Sequence, residues 1–219
     1  MERGIIIAFL QMKGGVGKST LTENLAVEFA YKDKKVKIID CDIRQRTCSK
    51  WIARRNEYHS DKPKIFCSIQ VEDLKDSILE DSKNYDVLII DTQGRDGKSL
   101  RTALLVSDIV YIPFMPSQHD IETIEELSEI LEETHIQNSF RKTFYILNNC
   151  SSHYLDKSDM DAFNYLNEYK NIILPSKVRI FHRKIYKTAA SEGLGVIEIF
   201  DKKAKEEISE LMQEVMNYA

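Results

Sequence analysis

Short apolar runs alternate with longer amphipathic stretches along this chain of 219 residues. Ile5–Leu10, Val36–Ile39, Ile65–Ile69, Val87–Ile90, Ile109–Pro113 and Thr143–Leu147 are nearly continuous in hydrophobic residues, and a shorter run lies at Ile172–Leu174. Continuous patterning of this kind suits strands buried on both faces of a parallel sheet. Between the runs the spacing predicts helices over Lys18–Tyr31, Thr47–Tyr58, Val71–Asp81, Lys98–Val106 and Asp120–Thr134, with further helices near Asp159–Tyr169 and Arg183–Ser191. Ala204, Ile208, Leu211, Met212, Val215 and Met216 form a last apolar stripe at helical spacing. This repetition implies a doubly wound, mostly parallel sheet with helices on both faces, binding ligands at the C-terminal strand ends. No Pro/Gly/Ser-rich linker or repeat interrupts it, so residues 1–219 read as one domain. Nor does the stretch before Ile5 leave room for a separate DNA-reading module.

Composition narrows the class. The charged share is 30% and the hydrophobic share 42%, ordinary for a soluble globular protein. The apolar run Ile5–Leu10 is too short to span a bilayer and wrongly placed for a signal peptide. Cys41, Cys48, Cys67 and Cys150 lack CxxC spacing, and the histidines are scattered, so neither zinc nor an iron–sulfur cluster is suggested. Reduced, cytosolic cysteines are the simplest reading.

The chemistry is concentrated at residues 12 to 19, Met-Lys-Gly-Gly-Val-Gly-Lys-Ser, between the first apolar run and the first helix. A glycine-rich turn from strand to helix brings backbone N–H groups and the positive end of a helix onto phosphate oxygens. Gly14, Gly15, Val16 and Gly17 would line such a loop. Lys18 would reach the β- and γ-phosphates, and the Ser19 hydroxyl would ligate Mg²⁺. The chain is expected to bind a nucleoside triphosphate. Met12 stands where the usual loop has its first glycine, and a second lysine, Lys13, follows it.

Lys-Gly-Gly-Val-Gly-Lys-Ser-Thr resembles the deviant Walker A loop of the ParA/MinD ATPases, in which the early lysine reaches across a dimer to the partner's nucleotide. Asp40-Cys41-Asp42 after the second run, Asp91-Thr92-Gln93-Gly94 after the fourth, and Ser107-Asp108 followed by Pro116-Ser117 fit the same pattern. Near the end, Arg183-Lys-Ile-Tyr186, Gly193, Val196 and Glu198 match small plasmid-partition ATPases resembling ParF. The resemblance implies a P-loop ATPase using ATP and Mg²⁺, with Lys13, Lys18 and Asp40 as catalytic residues. Asp91 would hold the metal through water, Thr20 would contact the α-phosphate, and Pro116 would lie on the nucleotide side. Asp40 would orient the attacking water, with Asp42 in support, although both aspartates also suit strand-end caps. Gly94 would sense the γ-phosphate through its N–H. Asn148 fits equally well as an adenine contact and as a turn residue. Two departures stand out: Ile43-Arg44-Gln45 where the family has Pro-Gln, and Gln93 where many relatives carry a small residue or proline.

Net charge is −4, yet the basic residues cluster. Lys170, Lys177, Arg179, Arg183, Lys184 and Lys187 lie between Tyr169 and Ser191 without an acidic neighbour, as do Arg44, Arg46, Lys50, Arg54 and Arg55 between Ile43 and Asn56. Such segments form either solvated faces or phosphate-binding surfaces. The resemblance implies non-specific DNA binding at Lys177, Arg179, Arg183, Lys184 and Lys187 in an ATP-bound homodimer. A ParB-like or ParG-like partner would trigger hydrolysis, and the protein would sit on the nucleoid in the cytoplasm. The competing readings are a MinD-like positioning ATPase on membrane, or a metabolic P-loop enzyme such as a ligase or a nitrogenase iron protein-like reductase. Glu206, Glu207, Glu210 and Glu214 opposite the last apolar stripe speak against anionic lipid, and that helix is expected to pack on the core.

Overall fold

The computed structural model describes residues 3–70, 74–95, 97–116, 123–151 and 157–218. Its strands are β1 (Ile5–Phe9), β2 (Val36–Asp40), β3 (Ile65–Ile69), β4 (Val87–Asp91), β5 (Ile109–Phe114), β6 (Lys142–Cys150) and β7 (Leu174–Phe181). They form one sheet in the order β3-β2-β4-β1-β5-β6-β7, with parallel pairing throughout the described residues. The helices are α1 (Lys18–Ala30), α2 (Thr47–Tyr58), α3 (Leu74–Asp81), α4 (Lys98–Val106), α5 (Ile124–His135), α6 (Lys157–Leu166), α7 (Lys184–Glu192) and α8 (Lys202–Tyr218). Parts of the helices expected at Val71–Asp81 and Asp120–Thr134 lie outside the described residues, as does Ser117.

The continuous apolar runs are explained by two-sided burial. Ile7 and Phe9 join one core with Leu21 and Leu25 of α1, Trp51 of α2, Ala189 of α7 and Ile208 of α8. Ile6, Ala8 and Leu10 join the other with Ile78 of α3, Leu104 of α4, Leu127 of α5 and Leu166 of α6. A strand with helices on both faces has no solvent side on which a polar residue can sit cheaply. Because β4 and β5 flank β1, the crevice at their C-terminal ends opens where the glycine loop begins. The register sets Asp40 opposite Asp91 and Phe9 opposite Asp91, so the acidic strand ends and the loop lie at one level.

The largest departure from expectation is at the sheet edge. Instead of ending with Leu174, the last strand begins there and runs to Phe181. Val178 and Ile180 are buried while Lys177 and Arg179 are exposed, the alternation of a strand with one open side. Charges on the outward positions conceal such a strand in the sequence and blunt its edge.

Helix α8 reaches two backbone N–H groups of this strand. Glu214 accepts hydrogen bonds from the Lys177 N–H at 2.7 Å, the Ser176 hydroxyl at 2.7 Å and the Tyr111 hydroxyl at 3.0 Å. Glu207 accepts from the Phe181 N–H at 3.3 Å, the Tyr186 hydroxyl at 2.9 Å, and Arg183 through Nε at 2.8 Å and Nη2 at 2.6 Å. Glu207 and Glu214 are therefore buried latches. The four glutamates do not form a single solvent face, since only Glu206 and Glu210 are exposed. Packing of the apolar stripe on the core holds for Ala204, Ile208, Leu211 and Val215, while Met216 is half exposed. Among the described residues no helix is long and apolar enough to cross a membrane.

Removing Glu207 strands a guanidinium, a phenol and a strand N–H together. Glu207→Ala is expected to lower stability by about 3 kcal/mol, the scale for breaking a buried pair from one side. Glu80→Ala, at an exposed pair with Lys83, should leave the urea midpoint almost unchanged. Equal midpoints for the two variants would show that the latch contributes nothing.

Candidate functional site

After Leu10 the chain turns through Gln11–Gly17 and enters α1. Gly15 at φ 80° and Gly17 at φ 94° occupy the left-handed region that disfavours side chains. At Gly17 a methyl group would also collide with the Asn148 amide, whose Nδ2 donates to the Val16 carbonyl at 2.6 Å. Over Gly14 and Gly15, by contrast, a methyl group would meet nothing within 4 Å. Among the described residues the loop is thus braced from beneath and open above, as a phosphate cradle must be. Lys18 is buried, and its ammonium donates to the Lys13 carbonyl at 3.0 Å. Burial lowers its pKa, opposed by the negative charges of Asp91 and Asp42.

The last residue of β4, Asp91, is buried behind this loop. Its Oδ2 accepts the Ser19 hydroxyl at 2.6 Å and the Cys48 thiol at 3.2 Å. Its Oδ1 is buried without a partner among the described residues. Desolvation pushes the carboxyl up to about 6, resisted by the Ser19 and Cys48 hydrogen bonds, raised further by Asp40 and lowered by Lys18. Glu23, one helical turn beyond Ser19, is also buried and held well above the ordinary carboxyl range by desolvation and by Asp91. An orphaned carboxylate oxygen beside a serine hydroxyl, in a pocket rich in negative charge, fits a hard divalent cation that keeps its waters.

The two aspartates after β2 have different surroundings. Asp40 is fully buried; its Oδ2 accepts the Ser49 N–H at 2.9 Å and hydroxyl at 2.8 Å, and its Oδ1 accepts the Asp42 N–H at 3.1 Å. Asp40 therefore fastens β2 to the first turn of α2. Asp40, the residue expected to orient the attacking water, is thus engaged by the backbone and by α2, and it is not part of the cavity lining. Asp42 instead lines the cavity of about 230 Å³ above the glycine loop, with Gly14, Gly15, Gly17, Lys18, Ser19, Thr20, Gln45, Thr47, Thr92 and Gly94. Its Oδ1 accepts the Arg44 and Gln45 N–H groups at 3.0 Å each, organising the Ile43-Arg44-Gln45 turn.

Residues 7–196 match the family described as the CobQ/CobB/MinD/ParA nucleotide binding domain. The chain belongs to this family. It is 22% identical to the maintenance of carboxysome distribution protein A of Halothiobacillus neapolitanus, over 98% of each chain. Among solved structures it resembles a putative plasmid partition protein from Borrelia burgdorferi B31 bound to AMPPNP, with a TM-score of 0.73, 21% identity and coverage of 99% of this chain and 100% of the other. The Pyrococcus furiosus cell division ATPase MinD superposes with a TM-score of 0.76 at 17% identity, covering 99% and 100%. The seven-stranded sheet is thus that of the MinD/ParA fold, and family membership makes the protein a P-loop ATPase.

In this ParA/MinD-family site the sequence-predicted residues separate into groups. Gly14, Gly15, Gly17, Lys18, Ser19 and Thr20 line one cavity, and Asp91 stands directly behind Ser19. Val16 is buried beneath the loop, and Lys13 contributes its carbonyl to Lys18. Asn148 lies within β6 rather than at its end, and its amide braces the loop through Val16. Pro116 follows β5 immediately before the undescribed residues 117–122.

Among the basic residues, Lys177, Arg179, Lys184 and Lys187 are exposed, whereas Arg183 is tied to Glu207. Arg183, expected to contact phosphate, is half-buried and already paired with Glu207. The earlier basic segment is depleted in the same way. Arg55 is buried in a pair with Glu198 at 2.7 Å, and Arg54 donates to the Ala190 carbonyl at 3.1 Å.

Cys48 and Glu23 were not signalled by any motif. A lone cysteine in a helix and a glutamate in a helix buried on nearly every side have no sequence signature; their place beside Asp91 reveals them.

Because Asp91 must be ionised to serve a cation, protons and Mg²⁺ compete for it. Its folded pKa lies above its ordinary value, so the ionised form is lost as pH falls through about 6. Mg²⁺-dependent nucleotide affinity is expected to weaken about tenfold per pH unit below that point. Cys48→Ala removes a donor to the ionised form and should move the midpoint upward. A midpoint that does not respond to Cys48→Ala, read by fluorescent-nucleotide titration at several pH values, would rule the thiol out as a determinant.

Proposed function

We propose that this protein is a ParA-type partition ATPase that segregates plasmid or other low-copy DNA, residues 1–219 acting as one ATPase domain. The observation that carries the reading is the cavity joining the two-lysine glycine loop, the Ser19–Asp91 pair and Asp42. Exposed lysines on β7 and α7 supply a second, separate surface.

ATP would lie with its phosphates over Gly14–Ser19, where loop N–H groups and Lys18 oppose their charge. Lys18 would exchange the Lys13 carbonyl for phosphate oxygens. Ser19 and, through water, Asp91 would hold Mg²⁺, which when bound neutralises charge on the β- and γ-phosphates. Asp42 takes the role of orienting water, since its carboxylate faces the cavity and Asp40's does not. Lys13, on the same loop, would reach the nucleotide of a second copy and link binding to dimerisation.

The DNA surface is assigned to Lys177, Arg179, Lys184 and Lys187. Phosphate contacts of this kind are weak singly, and pairing two copies on one duplex multiplies them. A ParB-like or ParG-like activator would then release the dimer by stimulating hydrolysis, leaving the protein cycling between cytoplasm and nucleoid.

The hydrolytic assignment is tested by comparing two variants. Asp42→Ala should bind Mg-ATP with near-normal affinity yet turn it over about a hundredfold more slowly, while remaining dimeric. Asp40→Ala should instead lower thermal stability, because it frees the start of α2. A stable Asp40→Ala variant that binds ATP and cannot hydrolyse it, beside an active Asp42→Ala, would reverse the assignment.

The partition reading is tested by DNA retention. Wild-type protein should bind duplex DNA of any sequence only with ATP, and lose affinity steeply as salt rises. Lys184→Glu combined with Lys187→Glu should abolish retention while ATP-dependent dimerisation persists; Lys13→Ala should lose both. Equal DNA binding with ADP, or recruitment to anionic vesicles by ATP instead of DNA, would overturn the reading.

A further inference from the structure

Gln93, one of the two departures from the family pattern, is nearly buried in the switch that follows β4. Its Nε2 donates to the carbonyl of Cys41 at 2.6 Å, and Cys41 separates Asp40 from Asp42. Its Oε1 accepts Nε of Arg95 at 2.9 Å. Both ends of the amide are therefore used, and they bridge the cavity-lining turn after β2 to one arginine. A buried amide with one end unsatisfied would cost roughly 1–3 kcal/mol, so the bridge holds Arg95 rather than merely tolerating it. The intervening Gly94 lies against the other wall: a methyl group there would sit 2.7 Å from the Gly14 nitrogen and 2.9 Å from the Lys13 carbonyl carbon. Arg95 is thereby tethered, through Gln93, to the carbonyl between Asp40 and Asp42, one residue after Gly94 of the cavity wall. Its side chain is exposed, and its two terminal nitrogens have no partner among the described residues.

We propose that Arg95 is a further cationic group of the hydrolysis site, positioned by Gln93 to stabilise charge on the γ-phosphate as it is transferred. The proposal rests on the ATPase reading. In the reaction a water oxygen bonds to the γ-phosphorus and the bond from that phosphorus to the β–γ bridging oxygen breaks. The products are ADP, inorganic phosphate and a proton, with no further reactant. Negative charge spreads over the γ-phosphoryl oxygens in passing, and a guanidinium is always protonated and presents paired donors to such oxygens. Lys18 lines the cavity from the glycine loop, and Arg95 follows Gly94, which lines it from the switch side. Gln93 touches no phosphate in this arrangement; it is a positioning residue, and a proline or small side chain at its place offers no such tether.

The experiment compares Arg95→Ala, Arg95→Lys and Gln93→Ala with wild type. Three readouts are taken: ATP affinity, turnover, and trapping by ADP with Mg²⁺ and aluminium fluoride, which imitates the transferring phosphoryl group. Arg95→Ala should keep ATP affinity within about threefold, lose about a hundredfold in turnover, and fail to trap. Arg95→Lys should recover part of both losses, and Gln93→Ala, with Arg95 untethered, should lose about tenfold. Normal trapping and turnover by Arg95→Ala would overturn the proposal. So would ATP affinity that falls in step with turnover, which is the mark of a ground-state or structural contact. A wild-type chain that neither hydrolyses ATP nor traps the fluoride complex would instead refute the ATPase reading beneath it.

Discussion

A carboxylate at the end of a wholly buried strand has to find donors, and the site is built around how Asp91 finds them. Strand β4 is buried at all of its positions because helices cover both faces of the sheet. Its terminal carboxylate is met by the Ser19 hydroxyl from α1 and the Cys48 thiol from α2, so one side chain ties a strand to two helices. Two donors do not satisfy the group fully. One oxygen has no partner among the described residues, and desolvation makes the carboxyl hold its proton more tightly than usual. The loop itself is preformed by the Asn148 brace and by glycines in the left-handed region. Preorganisation of this sort spares the ligand the work of ordering its own site.

Paired acids are divided between structure and chemistry throughout the molecule. Asp40 binds the start of α2 and leaves Asp42 facing the cavity; Glu207 and Glu214 seal the edge of β7 and leave Glu206 and Glu210 in solvent. In each case the member that points inward accepts at least one backbone N–H, the kind of donor a helix start and a strand edge have to spare. The same sorting applies to the arginines. Arg55 and Arg183 are absorbed by Glu198 and Glu207, whereas Lys177, Arg179, Lys184 and Lys187 keep their charge outward. A basic run in the sequence is therefore not itself a basic surface.

The relatives reported above are associated with carboxysomes, plasmids and cell division, and they share one nucleotide core. That distribution has a physical basis. Triphosphate chemistry constrains the strand ends and the loop tightly, while the exposed side chains of the outer elements are under no such constraint.

The sequence by itself determined the class of fold, the order of its elements and the phosphate-binding loop. Continuous apolar runs report two-sided burial, helical periodicity reports one-sided burial, and glycines at a strand-to-helix turn report a conformation that other residues resist. Those signals are local. What the tertiary structure decided is non-local: which of two aspartates two residues apart faces the cavity, that β7 continues through Lys177 and Arg179, that Arg183 is neutralised by a helix later in the chain, and that Gln93 spans from the switch to Cys41. Charged and polar side chains take their roles from whatever the fold brings opposite them. Spacing along the chain carries no record of those partners.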